Sequence, residues 1–352
     1  MSDKTKAGNF FEDFRTGQTI AHATPRTISD GDSALYQALY GGRFALHSSS
    51  EFARRAGYPQ APIDDMLVFH IVFGKTVPDI SLNAVANLGY ANGRFLAPVF
   101  PGDTLKTTSE IIGLKENSNG KTGVVYVRSR GENQNGTQVL DYVRWVMVRK
   151  RDPGSPAPEA VVPDLPDGVP ADALKIPDNL ELSAYDTVEA GSDQLWDDYD
   201  VGERIDHVDG MTIEEAEHMM ATRLYQNTAK VHFNQHTEGE SRFGRRLIYG
   251  GHIISLARGL SFNGLANAQW IAAINGGRHV APTFAGDTIY AWSEIADKVA
   301  VGGRNDIGAL RIRTRAVKNL SAAEFPNRSE DSKDHAAVVL EFDYWALMPR
   351  RP

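Results

Sequence analysis

The chain contains no cysteine. A disulfide framework, a zinc–thiolate centre and a thiol nucleophile all require the sulfur atom, so none of them is open to it. A surplus of positive charge is also missing: 37 Lys and Arg face 45 Asp and Glu, a net charge of -8. Phosphate backbones are bound through clustered Lys and Arg, so nucleic acid is not expected as a partner. No stretch approaches the roughly 18 consecutive apolar residues of a membrane span. Met1 to Gly8 is polar and lacks the apolar core of an export signal. We therefore expect no membrane partner and a cytoplasmic location. What is present, 41% hydrophobic and 23% charged residues over 352 positions, suits two ordinary globular domains or one large fold.

Self-comparison is the most informative step, because an internal repeat dictates architecture. Phe11-Glu-Asp-Phe14 followed by Gly17 recurs as Trp196-Asp-Asp-Tyr199 followed by Gly202, an offset of 185 residues. The same offset pairs Ile28 with Ile213, His47 with His232, Tyr58 with Phe243 and Ile63 with Ile248. Gly93-Arg94-Phe95, with Pro98, Phe100 and Gly102-Asp103-Thr104, recurs as Gly277-Arg278-His279, with Pro282, Phe284 and Gly286-Asp287-Thr288. Two copies of one unit are therefore expected, residues 1–151 and 179–352, joined by a Pro/Ala/Asp-rich linker over 152–178. The second copy carries an extra polar loop, Leu320 to His335.

Within a copy, Thr212-Ile-Glu-Glu215 reads as a capping box opening a helix to about Gln226. After Gly251 the run Ile253 to Phe262 is too continuously apolar for a surface helix and predicts a buried one, with Leu67 to Gly74 as its counterpart. Period-two segments follow: Tyr126–Arg130 and Tyr142–Val148 in the first copy, Leu310–Arg315 and Val338–Met348 in the second. A helix apolar on all sides needs a sheet wrapped around it. The expected class is α+β, a double hotdog in which each antiparallel sheet curls about one central helix.

The second copy resembles the MaoC-like (R)-specific enoyl-CoA hydratases. Their pattern is Asp, four residues, His, then an apolar-Ile-x-His-Gly segment that opens the central helix. Asn227-Thr-Ala-Lys-Val-His232 and Leu247-Ile-Tyr-Gly250-Gly251 stand in those places, and Gly286-Asp287-Thr288 after Pro282 fits as well. The stretches Pro78–Tyr90, Leu114–Tyr126 and Ser261–Asn267 resemble, more narrowly, the mesaconyl-CoA hydratases, also called β-methylmalyl-CoA dehydratases. The resemblance implies reversible addition of water to an enoyl thioester, mesaconyl-CoA (2-methylfumaryl-CoA) giving β-methylmalyl-CoA. Coenzyme A is then part of the substrate, and neither a metal nor a separate cofactor is expected. Family habit and exposed strand edges imply a homodimer.

The family pattern is broken at two points: Asn227 replaces the usual Asp, and Gly250 replaces a His. An amide has no useful proton affinity, so acid–base work falls to His232, with Asn227 holding the water through its carbonyl oxygen. Backbone amides at Gly250 and Gly251, at the positive end of the buried helix, are placed to stabilise the enolate oxygen. Tyr249 and His252 flank that loop as substrate-binding candidates, His252 equally as a packed helix-start residue. A free carboxylate on the substrate calls for an Arg. Arg245 and Arg246 are the candidates, with Arg43 and Arg278 behind them.

In the first copy the matched positions are Gly42, His47, Asp65 and Met66. Carboxylates at Asp64 and Asp65 suit a helix start better than an enolate, so this copy is expected to shape the acyl tunnel. The rival assignment makes His47 and Asp65 the acid–base pair. Three further functions compete: an (R)-specific enoyl-CoA hydratase of other acyl chains, a hotdog acyl-CoA thioesterase and a non-catalytic acyl-CoA binder.

Overall fold

The computed structural model describes residues 4–328 and 333–351; within the 320–335 loop, residues 329–332 lie outside the described residues. The first copy contributes β1 (Thr19–Thr27), helix α1 (Asp30–Tyr40), the central helix α2 (Asp65–Thr76), and β2 (Ala84–Phe95), β3 (Thr104–Glu116), β4 (Thr122–Glu132) and β5 (Gln138–Arg149). The second contributes β6 (Arg204–Thr212), α3 (Glu215–Leu224), the central helix α4 (Gly250–Leu260), and β7 (Trp270–His279), β8 (Thr288–Ala300), β9 (Ile307–Lys318) and β10 (Val338–Pro349). All ten strands form one antiparallel sheet, ordered β1-β3-β4-β5-β2-β7-β10-β9-β8-β6. The order is a palindrome of equivalent strands, which is the double hotdog.

Local chemistry explains the repeated signatures. Asp13 accepts from the Phe10 N–H (2.9 Å) and Asp198 from the Leu195 N–H (2.8 Å), so the Phe/Trp motifs are matched turns that start each copy. Asp103 accepts from Phe100 N–H (2.8 Å) and Asp287 from Phe284 N–H (2.9 Å). The preceding Gly102 and Gly286 hold φ of +99° and +91°, a region that disfavours side chains. The Gly-Asp-Thr signature is thus a turn leading into β3 and β8. Both central helices are buried almost throughout, Met66–Thr76 and Gly251–Leu260.

One local expectation fails. No capping box forms at Thr212: α3 begins at Glu215 after an uncapped Glu214, and Thr212 stays in strand register with its hydroxyl on Thr288 (2.8 Å). Glu215 instead pairs with Arg246. Strand pairing has priority over the cap, whereas in the first copy Ser29 lies past the strand and does cap α1 with Asp32. The 152–178 segment is irregular, with tight turns at Asp152–Ser155 and Ala171–Ala173, but it is stitched to the sheet. Val161 N–H donates to Leu114 O (2.8 Å), and Trp345 Nε1–H donates to Val169 O (2.9 Å).

The two copies join where β2 pairs with β7 (Tyr90↔Gly277, Gly93↔Ile274), which lays α2 and α4 side by side. Their shared seam is polar. His70 of α2 and Tyr36 of α1 both reach the Ser255 hydroxyl of α4, each at 2.9 Å. Tyr40 OH bridges Tyr225 OH (2.5 Å) and His252 Nδ1 (2.9 Å). Close backbone approach is built in: a Cβ on Gly74 would lie 1.8 Å from Tyr225 O, and one on Gly259 would lie 2.4 Å from Tyr40 O.

Two outcomes are expected. Gly74→Ala should lower stability by about 1–3 kcal/mol through overpacking, read as a fall in Tm, whereas Gly42→Ala, with nothing nearer than 3.8 Å to the added carbon, should not. Burial pushes His70, His218 and His252 down from 6.5 to about 3, 2 and 3 respectively, so all three are folded in neutral form. Between pH 6.5 and about 3 the unfolded chain therefore binds more protons than the folded one. Stability should be complete above pH 6.5 and fall as pH drops through that window; a Tm that stays level from pH 7.5 to 4 would contradict this.

Candidate functional site

His232 lies on a short helical turn, Lys230–Phe233, after the Tyr225–Ala229 loop. Its Nδ1 sits 2.8 Å from Leu247 O. A carbonyl only accepts, so Nδ1 carries the proton and the Nε2 lone pair is left free. His47 repeats the posture in the first copy: Nδ1 lies 3.1 Å from Pro62 O, the residue matching Leu247. There the resemblance stops, because His47 Nε2 is covered by Gln269 O at 3.3 Å. Both His47 contacts are to acceptors, so a neutral ring serves only one of them.

Asn227 is buried (1% exposed) and its Oδ1 accepts from Ala229 N–H at 3.0 Å. Facing a donor fixes the amide orientation, so the carbonyl oxygen expected to hold water is engaged in shaping the loop. The NH2 is the group left to meet a substrate oxygen. The loop lies beside an open cleft of about 420 Å³ lined by Thr24, Lys75, Arg223, Gln226, Thr228 and Phe233. Half of those residues bracket or follow Asn227 and His232, and two are cationic.

Gly250 and Gly251 do open α4, but the room left by their missing side chains is taken by protein groups. A Cβ on Gly250 would lie 2.3 Å from the His279 ring; one on Gly251 would lie 2.3 Å from the Tyr249 ring and 2.6 Å from His70. The glycines let three rings converge on the helix start. The peptide N–H of Tyr249 is held by His218 Nε2 at 3.0 Å, which requires His218 to be neutral. Tyr249 is buried, its ring 5.5 Å from that of His232, and its hydroxyl has no hydrogen-bond partner. His252 faces the seam, bonded to Tyr40, which is the packed helix-start alternative; its Nε2 remains without a partner.

The proposed carboxylate clamps lie elsewhere. Arg245 is exposed and stacks on Phe284 at 4.0 Å, and Arg246 pairs with Glu215. Arg43 stacks on Phe262 at 4.5 Å, and Arg278 is neutralised by Asp334 (2.7 Å) and Glu341 (2.6 Å). A flexible Arg beside a loop finds a surface aromatic or acid more cheaply than a buried carboxylate.

Two residues at the site escaped the sequence reading. His279 sits against Gly250, bonds Tyr90 OH at 3.1 Å and is pushed down to about 4 by burial, then by His232. Its signal was available: at the matched repeat position the first copy has Phe95, so a polar ring replaces an apolar one on a core-facing strand. His218 had no such signal, being an ordinary polar residue on an amphipathic helix. Burial also holds His232 down at about 4, opposed by its bond to Leu247 O.

In the first copy, Asp65 accepts from Ile271 N–H (2.9 Å) and is raised to about 6, chiefly by burial and against the pull of His47. His47 and Asp65 line a small cavity of about 40 Å³ with Tyr58, Phe95, Trp270 and Lys175. The two copies thus present two histidine sites of different character, one with a free nitrogen and one with an acid beside it.

Comparison with known proteins places the chain. A profile of the mesaconyl-CoA hydratase family matches residues 1–325. The chain is 69% identical to β-methylmalyl-CoA dehydratase of Chloroflexus aurantiacus over 351 residues, covering 100% of both chains. It is 62% identical to mesaconyl-CoA hydratase of Cereibacter sphaeroides over 347 residues, covering 99% of this chain and 100% of that one. A crystal structure of a MaoC domain protein dehydratase from C. aurantiacus superposes over both full lengths with a TM-score of 0.98 at 68% identity. A Mycobacterium tuberculosis protein described as a double hotdog superposes at a TM-score of 0.75 with 26% identity over 98% of this chain and 99% of that one. With the family profile over most of the chain and full-length relatives of this identity, the protein belongs to the mesaconyl-CoA hydratase family, a branch of the MaoC-like hydro-lyases on the double-hotdog fold.

Proposed function

We propose that this enzyme reversibly hydrates mesaconyl-CoA to β-methylmalyl-CoA, with His232 as its acid–base group. One observation carries the assignment: of the two matched histidines, only His232 has its ring pinned through Nδ1 while Nε2 stays free. A water bound there loses a proton to Nε2 as its oxygen adds to the β carbon. The same nitrogen then delivers a proton to the α carbon, so water is added with no proton left over. Electron density moves meanwhile into the thioester oxygen, which the Gly251 N–H at the start of α4 and the Asn227 NH2 can bind. Coenzyme A enters as part of the substrate, with its phosphates toward the cleft that carries Lys75 and Arg223; no metal or separate cofactor is invoked. No described helix is long and apolar enough to cross a membrane. A cytoplasmic homodimer completes the proposal, its mass checked by light scattering of the native protein.

A second reading has its own observation. Asp65, raised to about 6 and lining the same cavity as His47, is a carboxyl nearer to working pH than His232 at about 4. Asp65 as proton acceptor and His47 as donor would complete the same chemistry in the first copy.

Variants separate the two. His232→Ala should lower kcat for mesaconyl-CoA by about 10²- to 10⁴-fold, followed by loss of the conjugated thioester's ultraviolet absorption, with His47→Ala affecting it far less. The reverse ranking transfers the chemistry to His47 and Asp65. A base lowered to about 4 is neutral and competent down to that pH, so the acidic limb of kcat/KM should lie near pH 4 wherever the protein is still folded. A limb near 6 instead would implicate Asp65.

A further inference from the structure

Arg144 is the most deeply buried Lys or Arg among the described residues, 0% exposed on the middle of β5. Its helix-facing side chain lies over Phe73 at 4.3 Å, and its NH2 donates to Thr76 Oγ1 (2.8 Å) and Ser81 Oγ (3.2 Å). NH1 reaches Asn87 Oδ1 at 3.4 Å. All these partners are neutral, and no carboxylate pairs with it among the described residues. The charged forms that would act on it are those of three tyrosines, Tyr142, Tyr90 and Tyr249. A guanidinium stays protonated at any physiological pH, and an uncompensated charge away from water is costly.

The polar atoms around it are equally telling. Arg144 Nε, Asn87 Nδ2, Tyr142 OH and Tyr249 OH are all buried and all without a hydrogen-bond partner. Each is a donor. Tyr142 is 1% and Tyr249 4% exposed, and both enclose the same aromatic wall as Phe73, whose ring centre is 5.7 Å from that of Tyr249. The unspent Nε–H of the unpaired guanidinium and the three unspent donors around it match the roughly four lone-pair sites of one carboxylate. The Tyr249 ring also neighbours that of His232 at 5.5 Å, and Tyr90 reaches the His279 ring beside Gly250. This cluster therefore lies one ring away from the reacting centre, across the join between the two copies.

We propose that Arg144, with Asn87 and Tyr142 of the first copy and Tyr249 of the second, is the clamp for the distal carboxylate of a dicarboxylic enoyl-CoA, its charge supplied by the first copy to a reaction carried out in the second. The inference rests on the hydratase reading for its reaction but not for its ligand. Arg144 acts here as a specificity determinant: it selects acyl chains with a second carboxylate over chains of similar length without one.

Binding and turnover test it separately. At equal concentrations, succinyl-CoA, which has the distal carboxylate but no double bond, should raise the Tm of the wild-type protein more than butyryl-CoA does. Arg144→Lys, which keeps the charge and loses the two-pronged fork, and Tyr142→Phe should each shrink that difference. Arg144→Met should reduce kcat/KM for mesaconyl-CoA by about 10²- to 10³-fold more than for crotonyl-CoA, with the loss mainly in KM. Equal Tm shifts with the two saturated thioesters in wild type, or equal losses on both enoyl thioesters in the variants, overturn the clamp. If Arg144→Met does not fold, the succinyl-CoA comparison in wild type, Arg144→Lys and Tyr142→Phe decides alone. A succinyl-CoA preference in a protein that hydrates neither enoyl thioester would keep the clamp and overturn the hydratase reading.

Discussion

The pairing of β2 with β7 is the contact on which the rest depends. It turns two half-sheets into one of ten strands and forces the two central helices to lie alongside one another on the same face. Each helix is apolar enough to be wrapped by its own sheet, yet each leaves one flank against the other copy. That flank cannot be solvated, so its polar groups must pair across the join: His70 and Tyr36 with Ser255, Tyr40 with Tyr225 and His252. Glycines at 74 and 259 make the approach close enough for those bonds to form.

The seam explains why a fused pair, rather than two independent units, suits this chemistry. Histidines kept neutral by burial supply lone pairs and N–H groups without adding charge to the seam. The charged element, Arg144, is set in the other copy behind an aromatic wall, where a low-polarity setting strengthens its attraction for a carboxylate. The second copy has a histidine with an open nitrogen, and the first has Asp64 and Asp65 at the matched helix start, where Asp64 caps α2 through Met66 N–H at 2.8 Å.

Much of the architecture was legible because it is written in repeated local patterns. The matched Gly-Asp-Thr turns, the continuous apolar helices and the alternating strands are each decided within about a dozen neighbouring residues. The capping box at Thr212 failed for the same kind of reason in reverse: its side chain was claimed by a strand 76 residues away, which no local pattern reports. The arginines show the limit more sharply. Proximity in sequence to the Gly250-Gly251 loop favoured Arg245 and Arg246, but both turn outward to Phe284 and Glu215, while Arg144 sits about a hundred residues upstream in an ordinary-looking alternating strand.

The sequence by itself determined that there are two copies of one unit, that each holds a buried helix within an antiparallel sheet, that the matched histidines are His47 and His232, and which family pattern the second copy follows. Periodicity and repeat spacing are local properties of the chain, and they survive without any knowledge of the fold. Only the tertiary structure decided that His232 keeps a free Nε2 while His47 is covered, that His279 and His218 pack against the start of α4, and that Arg144 is buried with no carboxylate paired to it among the described residues. Hydrogen-bond satisfaction and charge pairing depend on which side chains meet in the folded core, and those meetings bring together residues far apart in the chain, such as His47 with Gln269, His279 with Tyr90 and Arg144 with Thr76.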